Sequence, residues 1–305
     1  MKITSPSKIN IYLRVIRKRI DGYHEIETIF LPLENPSDTV TITDSEDGRL
    51  SVTCSDPSLS GPENLCHKAA TAFAESAKIR PSWKIHIRKN IPVAAGLGGG
   101  SSDAASVLKL LWRKYPEIIS DTEIMNLASK IGADVSFFLN PVPSLATGIG
   151  EKLKPFEFKC EIPVVVVFPK FPVSAKWAYQ VGRFRRNRLF STDGSESRPH
   201  LNSINKVKSN DIISAIQKND LHKISSLLRN DLAPSLWKKF PLLYILRDSL
   251  SESGALGVQV SGSGSSLFAI AESEKSAEKI AGAMGKRFKD RISCHATVIR
   301  PYGKS

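Results

Sequence analysis

The stretch IPVAAGLGGGSSDAASVLKLL, Ile91 to Leu111, limits what this chain can fold into more than any other. Gly96, Gly98, Gly99 and Gly100 crowd into five positions, and Ser101 and Ser102 follow. Then Ala104, Val107, Leu108, Leu111 and Tyr115 recur at helical spacing until Pro116 ends the pattern. A strand-to-helix turn with a serine cap needs roughly one or two glycines, not four. So bare a backbone, at the mouth of a helix beginning near Ser101, predicts amides that close round an anion. The helix adds its unpaired N–H groups and the positive end of its dipole. Two familiar phosphate loops do not fit. A Walker A loop needs a Lys-Ser/Thr pair after its last glycine, and a dinucleotide fingerprint starting at Gly96 needs glycine where Ser101 stands.

Charge agrees with an anionic ligand. Lys and Arg number 43 against 30 Asp and Glu, a formal net charge of +13 in 305 residues. The densest basic run, GRFRRNR at Gly182 to Arg188, reads either as a solvated loop or as a contact for an anionic partner, and no RNA-binding or zinc-finger signature accompanies it. Cys54, Cys66, Cys160 and Cys294 are scattered, which suits reduced thiols in a cytoplasm and indicates no zinc site or disulfide framework. No run of about 18 apolar residues spans a membrane. The start, MKITSPSKINIYL, lacks the apolar core of a secretory signal.

Along the chain, period-2 alternation predicts strands at ITSPSKINIYLRVI, TVTITD, RLSVTC and WKIHIRKNI, the last running into the glycine loop. Helices are expected over Asn64–Ala77 and Asp121–Ile131, the second capped by Ser120 or Asp121 and closed by Gly132. Ala133-Asp134-Val135 opens a further short segment. PVPSLATGIGEKLKPFEFK reads as turn-rich chain leading to a second domain. Beyond it come a buried strand at Ile162–Phe168, helical patterns near Ile204–Gln217, Leu221–Leu228 and Leu236–Leu250, then GVQV, a second glycine cluster in VSGSGSSLFAI, LFAIA, a helix from Ser273 to Phe288 and CHATVIR. Mixed strands with separate helices indicate an α+β fold, with domains expected at 1–158 and 159–305. The second glycine cluster alone is either a hairpin connection or a second phosphate-binding loop.

These stretches together resemble the GHMP kinase superfamily, whose members carry an N-terminal lysine motif, a GLGxGSS-type loop and a late glycine loop. The carrying residues are SPSKINIYLRVIRKRIDGYHEIETIF, PENLCHKAA, IPVAAGLGGGSSDAASVL, GADVSFFL and VSGSGSSLFA. The resemblance implies an N-terminal domain like the second domain of ribosomal protein S5, a ferredoxin-like C-terminal domain, and transfer of the γ-phosphoryl group of ATP to an alcohol, with Mg²⁺ accompanying the nucleotide. SKIN followed by DGYHE is similar to the branch whose acceptor is a cytidine-diphosphate-linked methylerythritol. Lys8 and Asp134 match the catalytic lysine and aspartate; a carboxylate within reach can take the proton of an attacking hydroxyl, and an ammonium offsets the charge building on the transferring group. Read alone, Lys8 is a solvated lysine and Asp134 a helix cap.

The resemblance also places Pro92, Val93, Ala94, Ala95, Gly96, Leu97, Gly98, Gly99, Gly100, Ser101 and Ser102 on the ATP phosphates, and Asn64, Leu65 and Lys89 around the adenine. Ala94 stands where the family often has glycine. Read alone, the last three are a helix cap, a core leucine and an exposed lysine. Asn10, Tyr23, His24 and Tyr179 match the cytidine side of the acceptor, with Trp177 the competitor for the second stacking position. No metal cage is visible, so Mg²⁺ is expected on phosphate oxygens and water, with a serine hydroxyl as a further ligand. The partners implied are ATP and one small molecule, without nucleic acid or membrane, for a monomer or weak homodimer. Two alternatives stay open: a GHMP kinase acting on mevalonate, homoserine or galactose, and a basic RNA-binding protein without catalysis.

Overall fold

The computed structural model of the chain describes residues 1–182 and 207–301. They form two compact units that do not follow chain order. Unit 1 takes Met1–Lys8, Pro32–Val93 and Leu97–Val142; unit 2 takes Ile9–Leu31, Ala94–Gly96 and Pro143 onward. Two long strands, β1 (Lys2–Lys18) and β2 (His24–Asp44), contribute to both, and so does the glycine loop.

In unit 1, the second half of β2 pairs antiparallel with β4 (Trp83–Arg88), in register from Thr39 opposite Arg88 to Asp44 opposite Trp83; β3 (Ser51–Cys54) pairs parallel with β4. The alternation in WKIHIR is realised in full: Trp83, Ile85 and Ile87 are buried and the residues between them exposed. Helices α1 (Leu65–Ala77), α3 (Asp121–Ile131) and α4 (Val135–Leu139) pack with α2 (Gly99–Lys114). Ser120 caps α3 through a reciprocal capping box with Glu123, and Gly132 closes it, as expected. α2 buries Val107, Leu108 and Leu111 completely, each stabilising the unit by about 2–3 kcal/mol. Tyr115, just past α2, accepts the Trp83 indole N–H at 3.2 Å, tying α2 to the sheet.

Unit 2 contains an antiparallel sheet in the order β11 (Ser293–Ile299), β7 (Ile162–Phe168), β10 (Leu267–Ile270), β9 (Gly257–Val260). The run VVVV of β7 is central and fully buried, which explains why it does not alternate. Helix α10 (Glu274–Phe288) packs on β7 and β11, placing Ile280 and Met284 in a core with Val165 and Val167. The α+β class expected from the sequence is the class observed.

Three local readings are corrected and one helix is added. The turn-rich stretch after Pro143 is a hairpin of β5 (Ser144–Thr147) and β6 (Lys152–Pro155), β5 also pairing with β2; four-residue strands are too short to show a period. The helical pattern over Leu236–Leu250 belongs to two helices, α8 (Ala233–Lys239) and α9 (Pro241–Glu252). Phe240 precedes a proline and leaves helical geometry at ψ 82. The stretch SAKWAY, for which the sequence predicts no element, begins α5 (Ala175–Val181) with Ser174 as its cap. Finally α2 starts at Gly99 rather than near Ser101, because Gly98 supplies a left-handed cap at φ 75. Helices α6 (Ser209–Gln217) and α7 (Leu221–Ser226) match their sequence patterns, followed by the two-residue strand β8 (Arg229–Asn230) paired with β1. The basic run after Gly182 and the start of the pattern at Ile204 lie outside the described residues.

Candidate active site

The glycines of the loop have different reasons to be glycine. Gly96 has φ 79, and a Cβ there would stand 2.1 Å from the Ser261 carbonyl oxygen. Gly98 has φ 75, and a Cβ would meet the Phe138 ring at 2.8 Å and Lys8 Cε at 3.2 Å. Gly99, already helical, would press a Cβ against Ile91 at 2.9 Å and against Lys89 Nζ at 3.2 Å. Gly100 differs: its nearest neighbour would be Leu65 Cδ1 at 3.8 Å, so the fold leaves room for a side chain. Ala94 has φ 51, a left-handed conformation that explains why glycine suits this position.

Five successive carbonyls of this loop are turned into the protein. Within unit 2, Ala94 O accepts from Val173 N–H at 3.0 Å, Ala95 O from Ser266 N–H at 3.1 Å and Gly96 O from the Ser261 hydroxyl at 3.0 Å. Within unit 1, Leu97 O accepts from Lys8 N–H at 3.0 Å and Gly98 O from Ser102 N–H at 2.9 Å. The first N–H groups of α2 have no intrahelical acceptor. The VSGSGSS cluster is therefore not merely a hairpin connection; two of its serines hold the first glycine loop's carbonyls. The sequence reads Ser261 and Ser266 within a stretch that is either a hairpin connection or a second phosphate-binding loop, and it carries no signal that they hold these carbonyls.

Lys8 and Asp134 come together in unit 1, with Nζ 3.5 Å from a carboxylate oxygen. Neither solitary reading survives. The Lys8 side chain is only 5% exposed, and Asp134, at the cap position of α4, makes no side-chain cap hydrogen bond. Its side chain, 29% exposed, remains open to solvent beside Lys8, and the Lys8 stem runs under Gly98. Ser101 is half-buried, whereas Ser102 is fully buried and its hydroxyl accepts from that of Ser5 at 2.9 Å, facing the protein interior.

Around the expected adenine positions, Asn64 caps α1, accepting from Cys66 N–H at 2.8 Å and donating to Leu59 O at 2.7 Å, and Leu65 is half-buried. Lys89 is not exposed. Its ammonium is bound to Asp38 and, at 2.8 Å, to Asp103, neither of which the sequence singled out. Burial acts to lower the Lys89 pKa, but Asp103 and Asp38 outweigh it and hold the ammonium above its ordinary value. Burial pushes the Asp103 carboxyl up to about 6, against the opposing pull of Lys89. Its folded value lies above the ordinary 3.8, so the folded chain binds this proton more tightly than the unfolded chain. The stability advantage of the parent over Asp103→Asn should therefore decline as pH rises from about 4 to about 6 and level off above that range. Paired thermal melts across pH check this, and an advantage that grows with pH contradicts it.

In unit 2 the β1–β2 connection is built by DGYH. Gly22 at φ 86 turns the chain, Arg19 N–H donates to Tyr23 O at 2.8 Å, and Asp21 accepts from Tyr23 N–H at 3.1 Å. This leaves Tyr23 61% exposed and opens β2 with His24, whose ring stacks on Tyr179 of α5 at 5.4 Å between centroids. Burial, and then Lys18, hold the His24 pKa below its ordinary value, favouring a neutral imidazole. Trp177 packs instead on Phe240, at 5.5 Å. Asn10 is buried, its amide donating to Thr28 at 2.8 Å and its N–H directed at Ser261 Oγ at 3.4 Å.

Residues 64–140 match the GHMP kinases N terminal domain and residues 212–290 the GHMP kinases C terminal. The 4-diphosphocytidyl-2-C-methyl-D-erythritol kinase of Desulfitobacterium hafniense is 36% identical, over 92% of this chain and 90% of its own length. That of Citrifermentans bemidjiense is also 36% identical, over 94% and 95%. A crystal structure of 4-(cytidine 5'-diphospho)-2C-methyl-D-erythritol kinase superimposes with a TM-score of 0.76 at 32% identity, covering 98% of both chains. The chain belongs to the GHMP kinases, in the branch that the 4-diphosphocytidyl-2-C-methyl-D-erythritol kinases form.

Proposed function

We propose that the chain transfers the γ-phosphoryl group of ATP to the 2-hydroxyl of 4-diphosphocytidyl-2-C-methyl-D-erythritol, giving the 2-phosphate and ADP in the non-mevalonate route to isoprenoid precursors. The observation that carries this reading is the Asp134 carboxylate, uncommitted to any cap and 3.5 Å from the ammonium of Lys8, whose Cε lies 3.2 Å from where a Cβ on Gly98 would stand. The relatives' shared name supplies the acceptor. The division at 158/159 into N- and C-terminal kinase domains belongs to the same reading, supported by family matches that fall on either side.

The triphosphate lies along the loop at residues 92–102, on N–H groups from Val93 to Ser101, and the inward-turned carbonyls of Ala94 to Gly98 spare it repulsion. Asn64, Leu65 and Lys89 border the adenine in the family reading. Asp134 accepts the proton of the attacking hydroxyl, and Lys8 offsets the charge that develops on the transferring group. Among the described residues no three His, Cys, Asp or Glu side chains converge on one point. In the family reading Mg²⁺ comes with the nucleotide, on phosphate oxygens and water, where it would supply charge neutralisation. Tyr23 and Tyr179 offer aromatic faces to the cytosine, and His24 and Asn10 polar edges. No helix among the described residues is long and apolar enough to cross a membrane. The reading places the enzyme in the cytoplasm, as a monomer or weak homodimer.

Coupled measurement of ATP consumption tests it: turnover is expected with the cytidylylated methylerythritol and not with mevalonate, homoserine or galactose. Preference for any of the latter three overturns the acceptor assignment. Tyr23→Ala should raise the acceptor KM about tenfold or more with little change in kcat, since stacking acts alike in ground and transition states. An unchanged acceptor KM removes Tyr23 from the base.

A further inference from the structure

Beneath the phosphate loop lies an ion cluster drawn from three separate elements of unit 1. Asp38, fully buried on β2, accepts the N–H groups of Asn90 at 2.5 Å and Ile91 at 2.8 Å with one oxygen, and binds the Lys89 ammonium with the other. Lys89 reaches from the end of β4 to Asp103 on the first turns of α2, at 2.8 Å. The second Asp103 oxygen is buried and accepts no hydrogen bond. The Ser5 hydroxyl from β1 donates to Ser102 instead, and Cys66 of α1 is a buried thiol. The strand end that leads into the loop and the helix that leads out of it are thus joined through one ammonium. That ammonium also underlies Gly99, where an added Cβ would approach it to 3.2 Å.

We infer that Lys89, through Asp38 and Asp103, is a positioning residue that fixes the span between Ile91 and Gly99, so that the loop presents its amides already set for a triphosphate. The inference rests on the loop's proposed role as the triphosphate site and reassigns Lys89 from the adenine to the frame below the phosphates. A dipole-bearing helix end held a fraction of an ångström away from its productive place loses the preorganisation on which anion binding by amides depends. Two carboxylates around one buried ammonium also make the arrangement intolerant of losing any member, because the survivors are left uncompensated.

The test uses the full chain with Lys89→Met, Asp103→Ala and Asp103→Asn, and two probes, ATP and inorganic tripolyphosphate, which has no base. Lys89→Met and Asp103→Ala should weaken both probes by the same factor, about tenfold or more, as expected for loss of a charged hydrogen bond. The acceptor KM should stay within about twofold of the parent's. Asp103→Asn, which keeps an acceptor for Lys89, should recover much of the loss. Independently of any ligand, hydrogen exchange across residues 91–99 should quicken in Asp103→Ala. Weakened ATP with unchanged tripolyphosphate in Lys89→Met returns Lys89 to the base and overturns the inference. So does an Asp103→Ala variant with parental exchange and affinities; this variant carries the test should Lys89→Met not fold. A parent protein that binds no tripolyphosphate contradicts the proposed function instead, while the exchange comparison still decides the cluster's role.

Discussion

Asp134→Asn should lower kcat by about 10²–10⁴-fold while leaving ATP affinity within about twofold of the parent's. The substitution keeps the side chain's shape and an oxygen for Lys8, 3.5 Å away, but an amide cannot take the proton of the attacking alcohol. Ordinarily an aspartate at the start of a helix is a risky site for such a test, because loss of a cap hydrogen bond lowers stability by about 1 kcal/mol. Here Asp134 makes no cap hydrogen bond, so a fall in melting temperature reports only the Lys8 ammonium left without its carboxylate, and ATP affinity near the parent's shows that the site keeps its fold. Steady-state kinetics beside calorimetric titration of ATP decide the matter. Turnover near the parent's takes the base role away from Asp134.

Gly96→Ala should be the most damaging single methyl in the loop. Its Cβ would lie 2.1 Å from Ser261 O and 3.0 Å from Gly264 N, both backbone atoms that no rotamer change can move. The backbone at φ 79 adds a left-handed penalty of about 1 kcal/mol. Relief requires the loop to withdraw from VSGSGSS, breaking the hydrogen bond from Ser261 to Gly96 O. A loss of about 3 kcal/mol or more is expected, with the nucleotide affinity falling alongside it. Gly100→Ala is the matched control. A methyl there meets only Leu65 at 3.8 Å, and alanine favours a helix, so stability should hold or rise while ATP binds more weakly. Equal melting temperatures for the two variants would contradict the division of the glycines into those the fold needs and one the ligand needs.

Much of this was legible in the sequence because period and composition agree with tertiary position. WKIHIR alternates and is half-buried as a strand; IPVVVVF does not alternate and sits in the middle of a sheet. The loop's purpose was readable because four glycines exceed what any turn requires. Less visible was why each is there, since Gly96 answers to Ser261, 165 residues away, and Gly98 to Phe138. Asp38 left no trace in any pattern: a buried carboxylate in a strand looks like a surface residue until Lys89 and two backbone amides are found around it. Lys89 itself reads as an exposed lysine at a strand end, and only the fold reveals that it is enclosed. The sequence reading prefers Tyr179 to Trp177, but their surroundings were beyond it: on α5, Tyr179 lies against His24 and Trp177 against Phe240. The β5–β6 hairpin escaped for want of length, each strand being four residues.

A crystal grown with a non-hydrolysable ATP analogue and the cytidylylated methylerythritol tests the central claim most directly. The account predicts the triphosphate on the amides of residues 96–101 and the acceptor's 2-hydroxyl within hydrogen-bond reach, about 2.6–3.2 Å, of the Asp134 carboxylate. A triphosphate seated away from those amides, or a 2-hydroxyl directed away from Asp134, would contradict it.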